Sequence, residues 1–172
     1  RLLAESEETG RSIGRVYTWQ SQCVTLGMSQ DPAIALREGC PVGWAMRPTG
    51  GRAVFHGHDV TVGIVLSFDD LGILHFARGL RRVYRCATEP LILALRKCGF
   101  DAALGEDVEN ATGKGGMRSQ DCFAAASAND VVDRNTGTKI CGCAMRVSAK
   151  SVLIQASIPV RPPSIAPSQV FL

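Results

Sequence analysis

Apolar and polar positions alternate with a period of two through much of this chain and with a helical period in one long stretch. Val16-Tyr17-Thr18-Trp19 and Cys23-Val24-Thr25-Leu26 are short β-branched and aromatic runs, suited to a pleated surface, and predict the first two strands, with Gly27 ending the second. Asp31-Pro32 predicts a helix start, an N-cap acid followed by proline at the first helical position, with the helix at 33–38 and Gly39 as its stop. Segments 42–47 and 52–55 are extended on either side of Gly50-Gly51, and Val60, Val62, Ile64 and Leu66 alternate with Thr61, Gly63, Val65 and Ser67 as a buried strand would. Leu80, Val83, Tyr84 and Ala87, then Leu91 and Leu95, recur at helical spacing and place the main helical region at 76–98, kinked or divided by Pro90 and capped by Gly99. Val131-Val132, a turn at 134–137, and segments 139–147 and 151–158 predict a three-strand meander. Pro159, Pro162, Pro163 and Pro167 make 159–172 an extended tail, ill suited to a helix or inner strand.

A chain of 172 residues, 45% of them hydrophobic, supports one domain, residues 1–172, with a substantial core. It opens on Arg1 rather than methionine, which fits a fragment, and Leu2 to Glu5 read as the end of a helix. No apolar run reaches the ~18 residues of a membrane span and no signal-peptide pattern opens the chain, so a soluble protein without a membrane partner is expected. Seven scattered cysteines point to free thiols in a reducing compartment, the cytoplasm or an organelle matrix. A net charge of +3 is too small for a nucleic-acid binder. The local cluster Arg78, Arg81, Arg82 and Arg85 would suit an acidic protein partner or a solvated helix face.

The candidate chemistry centres on Arg47-Pro48-Thr49-Gly50-Gly51-Arg52-Ala53-Val54-Phe55-His56, continuing to Asp59-Val60-Thr61. Adjacent glycines let backbone amides come close to a ligand, and the flanking guanidiniums are suited to a carboxylate, a phosphate or a pantetheine-like arm. Thr49-Gly50-Gly51 reads equally well as a hairpin turn. The polar, glycine-rich segment 105–120 reads as a mobile loop delivering Cys122 to the site, and its Gly113-Lys114-Gly115 lacks the glycine and hydroxyl of a phosphate loop. Cys141 with Cys143, or His56 with His58, would share strand faces, but a metal site needs three or four converging ligands, so no metal is expected. No Gly-x-Ser-x-Gly elbow supports a serine triad.

The Arg47 to Thr61 stretch resembles the signature of the lipoate/octanoate protein ligase and transferase family, relatives of the biotin protein ligases. A second block agrees with it: Asp121-Cys122-Phe123, Asn129-Asp130-Val131-Val132, and Thr138-Lys139-Ile140-Cys141-Gly142-Cys143-Ala144-Met145-Arg146. The resemblance implies an α+β domain with a mixed, largely antiparallel sheet and packed helices, like class II aminoacyl-tRNA synthetases and biotin protein ligases. It is nearest to the cysteine-dependent octanoyltransferases, which implies Cys122 as nucleophile and Lys139 as the charge that activates it. Arg47, Thr49, Gly50, Gly51, Arg52, Ala53, Val54, Phe55, His56, Gly142 and Ala144 would bind substrate. Trp19, Trp44 and Phe55 would be core or acyl-tunnel lining.

The implied reaction moves octanoate or lipoate from an acyl carrier protein thioester, through Cys122, to a lysine of a lipoyl-type acceptor such as the glycine cleavage H protein or a 2-oxoacid dehydrogenase E2, with no cofactor. An ATP- and Mg-dependent lipoate ligase and a non-catalytic relative that binds lipoyl domains or acyl groups are the alternatives. Arg52 stands where ligases have a third glycine, Pro48 where they often have a second arginine, Met145 where the family usually has glutamine, and Ala156-Ser157 where His-Gly is common.

Overall fold

The period-two runs pair into two sheets, seen in a computed structural model that describes residues 1–73, 79–109, 111 and 119–172. In chain order the elements are α1 (Leu2–Thr9), β1 (Ile13–Thr18), β2 (Cys23–Leu26), α2 (Pro32–Ala35), β3 (Gly43–Met46), β4 (Val54–His56), β5 (Asp59–Ser67), α3 (Leu80–Lys97), β6 (Ala102–Leu104), β7 (Val131–Asp133), β8 (Lys139–Val147) and β9 (Ser151–Pro159). Strands β1-β5-β9-β8-β7-β6 form a six-stranded sheet, and β3-β2-β4 form a smaller one. Every pairing in the large sheet is antiparallel. The result is an α+β fold dominated by antiparallel sheet with few helices.

Helix α3 covers one face of the large sheet. Val83, Tyr84, Ala87, Leu91 and Leu95 are buried there with Val131, Cys141, Val152, Ile154 and Ala156. Leu80, the first of the helical-period residues, is instead exposed at the helix start. Pro90 does not divide the helix. An interior proline costs ~3 kcal/mol, but Leu91, Ile92 and Leu95 are buried beyond it, and each apolar side chain of that size contributes ~1.5–3 kcal/mol. Residues 76–78, where the helix was expected to begin, lie outside the described residues, as do 110 and 112–118 of the expected loop at 105–120.

Three other expectations are corrected by pairing across the fold. The Gly50-Gly51 bend is not a hairpin: β3 pairs in parallel with β2, β4 pairs antiparallel with β2 from its other side, and β2 therefore lies between them. The meander carries a fourth strand, because Ala102–Leu104 pairs with β7. Helix α2 starts as expected, with Asp31 Oδ1 accepting from Ala33 N at 2.9 Å, yet stops at Ala35. Leu36 turns extended and bridges Phe171, and Arg37 N donates to Val170 O at 2.9 Å. The proline-rich segment thus folds back: Val170 and Phe171 are buried in the smaller core with Val24, Leu26, Ala35, Leu36, Ala53 and Phe55.

At Gly27 the bend at 50–51 passes so close that a Cβ would lie 2.0 Å from Gly51 O. Gly27→Ala is therefore expected to destabilise the protein by about 1–3 kcal/mol, through forced backbone displacement. Gly14→Ala, with nothing within 4 Å of its Cβ, should stay within about 0.5 kcal/mol of the parent. Urea unfolding of the two variants checks the contrast.

Candidate active site

Antiparallel neighbours point to the same side of a sheet, and on the face of the large sheet opposite α3 this puts four residues in a row: Tyr17 of β1 opposite Thr61 of β5, Thr61 opposite Ser157 of β9, and Ser157 opposite Gly142 of β8. At about 4.8 Å per strand the row spans roughly 14 Å. It floors a cavity of about 220 Å³ roofed by Thr25, Ala45, Met46, Arg47, Val54 and His56 from the smaller sheet and its loops, with Cys122 at the wall. That volume lies below the roughly 300–1,000 Å³ typical of a drug-sized ligand site and suits a slender chain.

Backbone pairing brings Cys122 to the cavity. Ala53 and Asp121 form a parallel bridge, Ala53 N donates to Gln120 O at 3.0 Å, and Cys122 N donates to Ala53 O at 2.8 Å. On the other side, β7 and β8 slip register, with Val132 opposite Lys139 but Val131 opposite Cys141, so Ile140 is an unmatched bulge residue. Without it, Lys139 would share a face with Cys141 and Cys143, which pack toward the α3 core. A bulge of this kind re-aims a side chain, and the Lys139 ammonium ends beside Gly142, where a Cβ would sit 3.3 Å from Lys139 Cε and 3.3 Å from Phe123 Cζ.

The ammonium then donates to Cys122 Sγ at 3.2 Å, to Cys122 O at 2.6 Å and to Asp130 Oδ1 at 2.9 Å. It also lies 4.7 Å from the Phe123 ring centroid. Cys122 and Lys139, singled out from the sequence, are thus in contact. Asp130 was quoted there only as part of a motif; its place beside β7, across from Lys139, was the available signal.

Arg47 departs from the expected anion clamp. Its guanidinium donates to Thr25 O, Thr49 Oγ1, Gly50 O and Arg52 O at 2.7–3.2 Å, and among the described residues no carboxylate forms a salt bridge with it. Burial lowers its pKa, opposed by an electrostatic contribution from the neighbouring Cys122. Thr49 is buried and its hydroxyl donates to Gln155 Oε1 at 2.8 Å, tying the loop to the floor. Arg52 donates to Ala125 O at 3.1 Å, toward the segment carrying Cys122. Of the residues expected to bind substrate, Arg47, Gly51, Val54, His56, Gly142 and Ala144 border the cavity. Thr49, Gly50, Arg52, Ala53 and Phe55 do not; they lie behind the lining, Ala53 and Phe55 within the smaller core.

Trp19 also borders the cavity, stacked on His56 with centroids 4.3 Å apart, whereas Trp44 is half exposed outside it. His56 lies between Asp59 Oδ2 and Thr25 Oγ1, each at 2.8 Å. Thr61 and Ser157 donate to the same Asp59 oxygen at 3.0 and 2.7 Å. His56 is therefore committed to this network, while Nδ1 of the neighbouring His58 is buried without a hydrogen-bond partner among the described residues. Cys141 and Cys143 do share a face, with sulfurs 3.6 Å apart. Among the described residues, no three His, Cys, Asp or Glu side chains converge as metal ligands. The arginine cluster is partly neutralised: Arg81 pairs with Glu106 at 2.5 Å and Arg85 with Glu106 and Asp107. Arg78 lies outside the described residues.

Comparison with known proteins gives the family and the fold. Residues 1–166 match the family model described as the lipoyl protein ligase A/B catalytic domain. The chain is 32% identical over 165 residues to an octanoyltransferase LipM of Kyrpidia tusciae, covering 91% of this chain and 57% of that protein. It therefore spans little more than half the length of that curated relative. Among solved structures it resembles a lipoate-protein ligase A bound with ATP, with a TM-score of 0.67 and 23% identity over 94% of this chain and 59% of the other. It also resembles a bi-partite lipoate protein ligase of Thermoplasma acidophilum, with a TM-score of 0.65 and 23% identity over 94% and 54%. No helix among the described residues is long and apolar enough to cross a membrane.

The network around Asp59 makes a pH-dependent contribution to stability. Burial pushes its carboxyl up, but hydrogen bonding and charge from His56 with the Ser157 and Thr61 hydroxyls outweigh this and bring it from 3.8 to about 2. Because the folded value lies below the unfolded one, about 2 kcal/mol of stability is present above the unfolded pKa and is lost as pH falls toward about 2. Asp59→Asn is expected to be less stable at neutral pH and to lose that part of the slope between about pH 4 and about pH 2, read from urea unfolding across this range.

Proposed function

The chain belongs to the lipoyl protein ligase A/B catalytic-domain family, and within it we propose that it is a cysteine-dependent octanoyl or lipoyl transferase. The observation that carries this reading is the contact of Cys122 Sγ with the Lys139 ammonium at 3.2 Å, at the wall of a narrow, mostly apolar cavity. A thiolate is the nucleophilic form of cysteine, and a neighbouring cation favours it. The family's LipM relatives are octanoyltransferases by name, which supports the same class of acyl group.

In the proposed cycle the Cys122 thiolate attacks the thioester carbonyl of an acyl carrier protein. The new carbon–sulfur bond forms as the carrier's breaks, and the departing carrier thiolate takes a proton from Lys139. A neutral lysine amine of a lipoyl-type acceptor then attacks the acyl-enzyme. The amide bond forms, Cys122 leaves as thiolate, and the amine proton returns to Lys139. Thioester and amine become thiol and amide with no other reactant, so neither ATP nor Mg enters. Lipoyl-domain proteins such as a glycine cleavage H protein or a 2-oxoacid dehydrogenase E2 have the acceptor chemistry, and the solved bi-partite ligase from Thermoplasma acidophilum is described together with its E2 lipoyl domain. The ATP-dependent ligase alternative has less to support it, because in the arginine and glycine motif that would cradle an acyl-adenylate, Arg47 directs four N–H bonds to oxygens of the protein itself.

Purified protein incubated with an octanoyl-carrier thioester is expected to gain one octanoyl group, seen by intact mass, and to pass it to a lipoyl domain without ATP. Cys122→Ser should abolish the adduct, and Lys139→Ala should slow its formation by ~100-fold or more, in keeping with loss of a positioned acid–base group. Acceptor labelling only with ATP and free octanoate would establish the ligase instead. Tight acceptor binding with neither product would establish a binding module.

A further inference from the structure

An ammonium carries three N–H donors, and those of Lys139 are matched by three acceptors, two on Cys122 and the third Asp130 Oδ1. The Lys139 and Asp130 side chains are each only 5% exposed. Asp130 is itself fixed: its Oδ2 accepts from Ser127 N at 2.7 Å and from Ser127 Oγ at 2.8 Å, and its carbonyl accepts from Gly105 N at 2.8 Å. Gly105 leaves room for this turn, since a Cβ there would lie 2.4 Å from Ser127 O. The neighbouring Asn129 carbonyl accepts from the Tyr84 hydroxyl of α3. With Oδ2 held by Ser127 and its backbone carbonyl by Gly105, Asp130 stays in place independently of Lys139.

Resting on the transferase reading, we propose that Asp130 is a positioning residue that drives the second half-reaction by drawing the acceptor's proton onto Lys139. Once Lys139 has given its proton to the departing carrier thiol, Asp130 is a buried carboxylate facing a neutral amine, without its counter-charge. An unpaired buried charge is unfavourable. The acyl-enzyme relieves it by taking the proton that the acceptor amine releases as the amide bond forms, which restores the Lys139 ammonium and the Cys122 thiolate together. In the first half-reaction the same carboxylate keeps Lys139 charged beside Cys122 but resists the transfer of its proton to the carrier thiolate, and the two effects oppose each other. Asp130 therefore acts on the two steps unequally, a signature that a purely architectural residue would lack.

The test separates the steps by rapid quench and intact mass, using octanoyl-carrier thioester alone for acylation and then adding a lipoyl domain for transfer. Asp130→Asn is expected to acylate Cys122 within about threefold of the parent rate and to transfer at least tenfold more slowly, so that acyl-enzyme accumulates. Asp130→Glu, which keeps the charge, is expected to restore most of the transfer rate, and the thermal melts of both variants monitor folding. Equal slowing of both steps in Asp130→Asn, or failure of Asp130→Glu to recover transfer while folded, would overturn the role of Asp130 and leave the transferase reading intact. Unchanged transfer in Asp130→Asn would overturn it equally. Absence of any acyl adduct in the parent protein would overturn the transferase reading and this inference with it.

Discussion

The structure around the cavity depends on how one buried cation is accommodated. Lys139 can lie at 5% exposure only because its ammonium meets a carboxylate, a carbonyl and a sulfur; breaking a buried ion pair by removing one partner typically costs ~3–5 kcal/mol. The three residues arrive by different routes through the fold. Asp130 comes from the turn before β7, Cys122 from the segment bridged to Ala53, and the lysine itself from the bulge that turns it toward Gly142. The pair of sheets and α3 can be understood as the scaffold that makes these three routes meet.

Arg47 is the second buried cation and is used differently. Its guanidinium joins the end of β2, the Thr49–Gly50 bend and Arg52 through four neutral acceptors, so that the loop over the cavity is held from inside. Thr49 extends the same chain of bonds to Gln155 on the cavity floor. The loop that looked like a ligand cradle is thus first of all a strap between the sheets. With four of its N–H groups engaged and its charge retained, Arg47 reinforces the positive field at Cys122 without needing to touch a substrate.

Local features were legible in the sequence where local chemistry decides them. Strand β2 has the bounds its β-branched run announced, the Asp31 cap forms its bond, and Gly99 takes the positive φ of a helix stop. The proximity of Cys122 and Lys139 was expected through family resemblance, since a spacing of 17 residues fixes no distance. What stayed hidden is set by partners far along the chain. Whether residues beside Gly50-Gly51 pair with each other or around β2 depends on which edge β2 offers, and α2 ends where it does because Phe171 claims Leu36. Ala102–Leu104 is too short and too rich in alanine to announce itself as a strand. The bulge at Ile140 likewise leaves no mark in a run that reads as one continuous strand, yet it decides which face Lys139 serves.

Competitive labelling of the seven cysteines with a limiting amount of iodoacetamide at neutral pH, followed by peptide mapping, tests the charge arrangement most directly. Cys98 is exposed and Cys122 only partly so, so accessibility alone favours Cys98. The account predicts that Cys122 is alkylated first and that Lys139→Met removes its lead. Faster labelling of Cys98 in the parent protein, or a Cys122 rate indifferent to Lys139→Met, would contradict it.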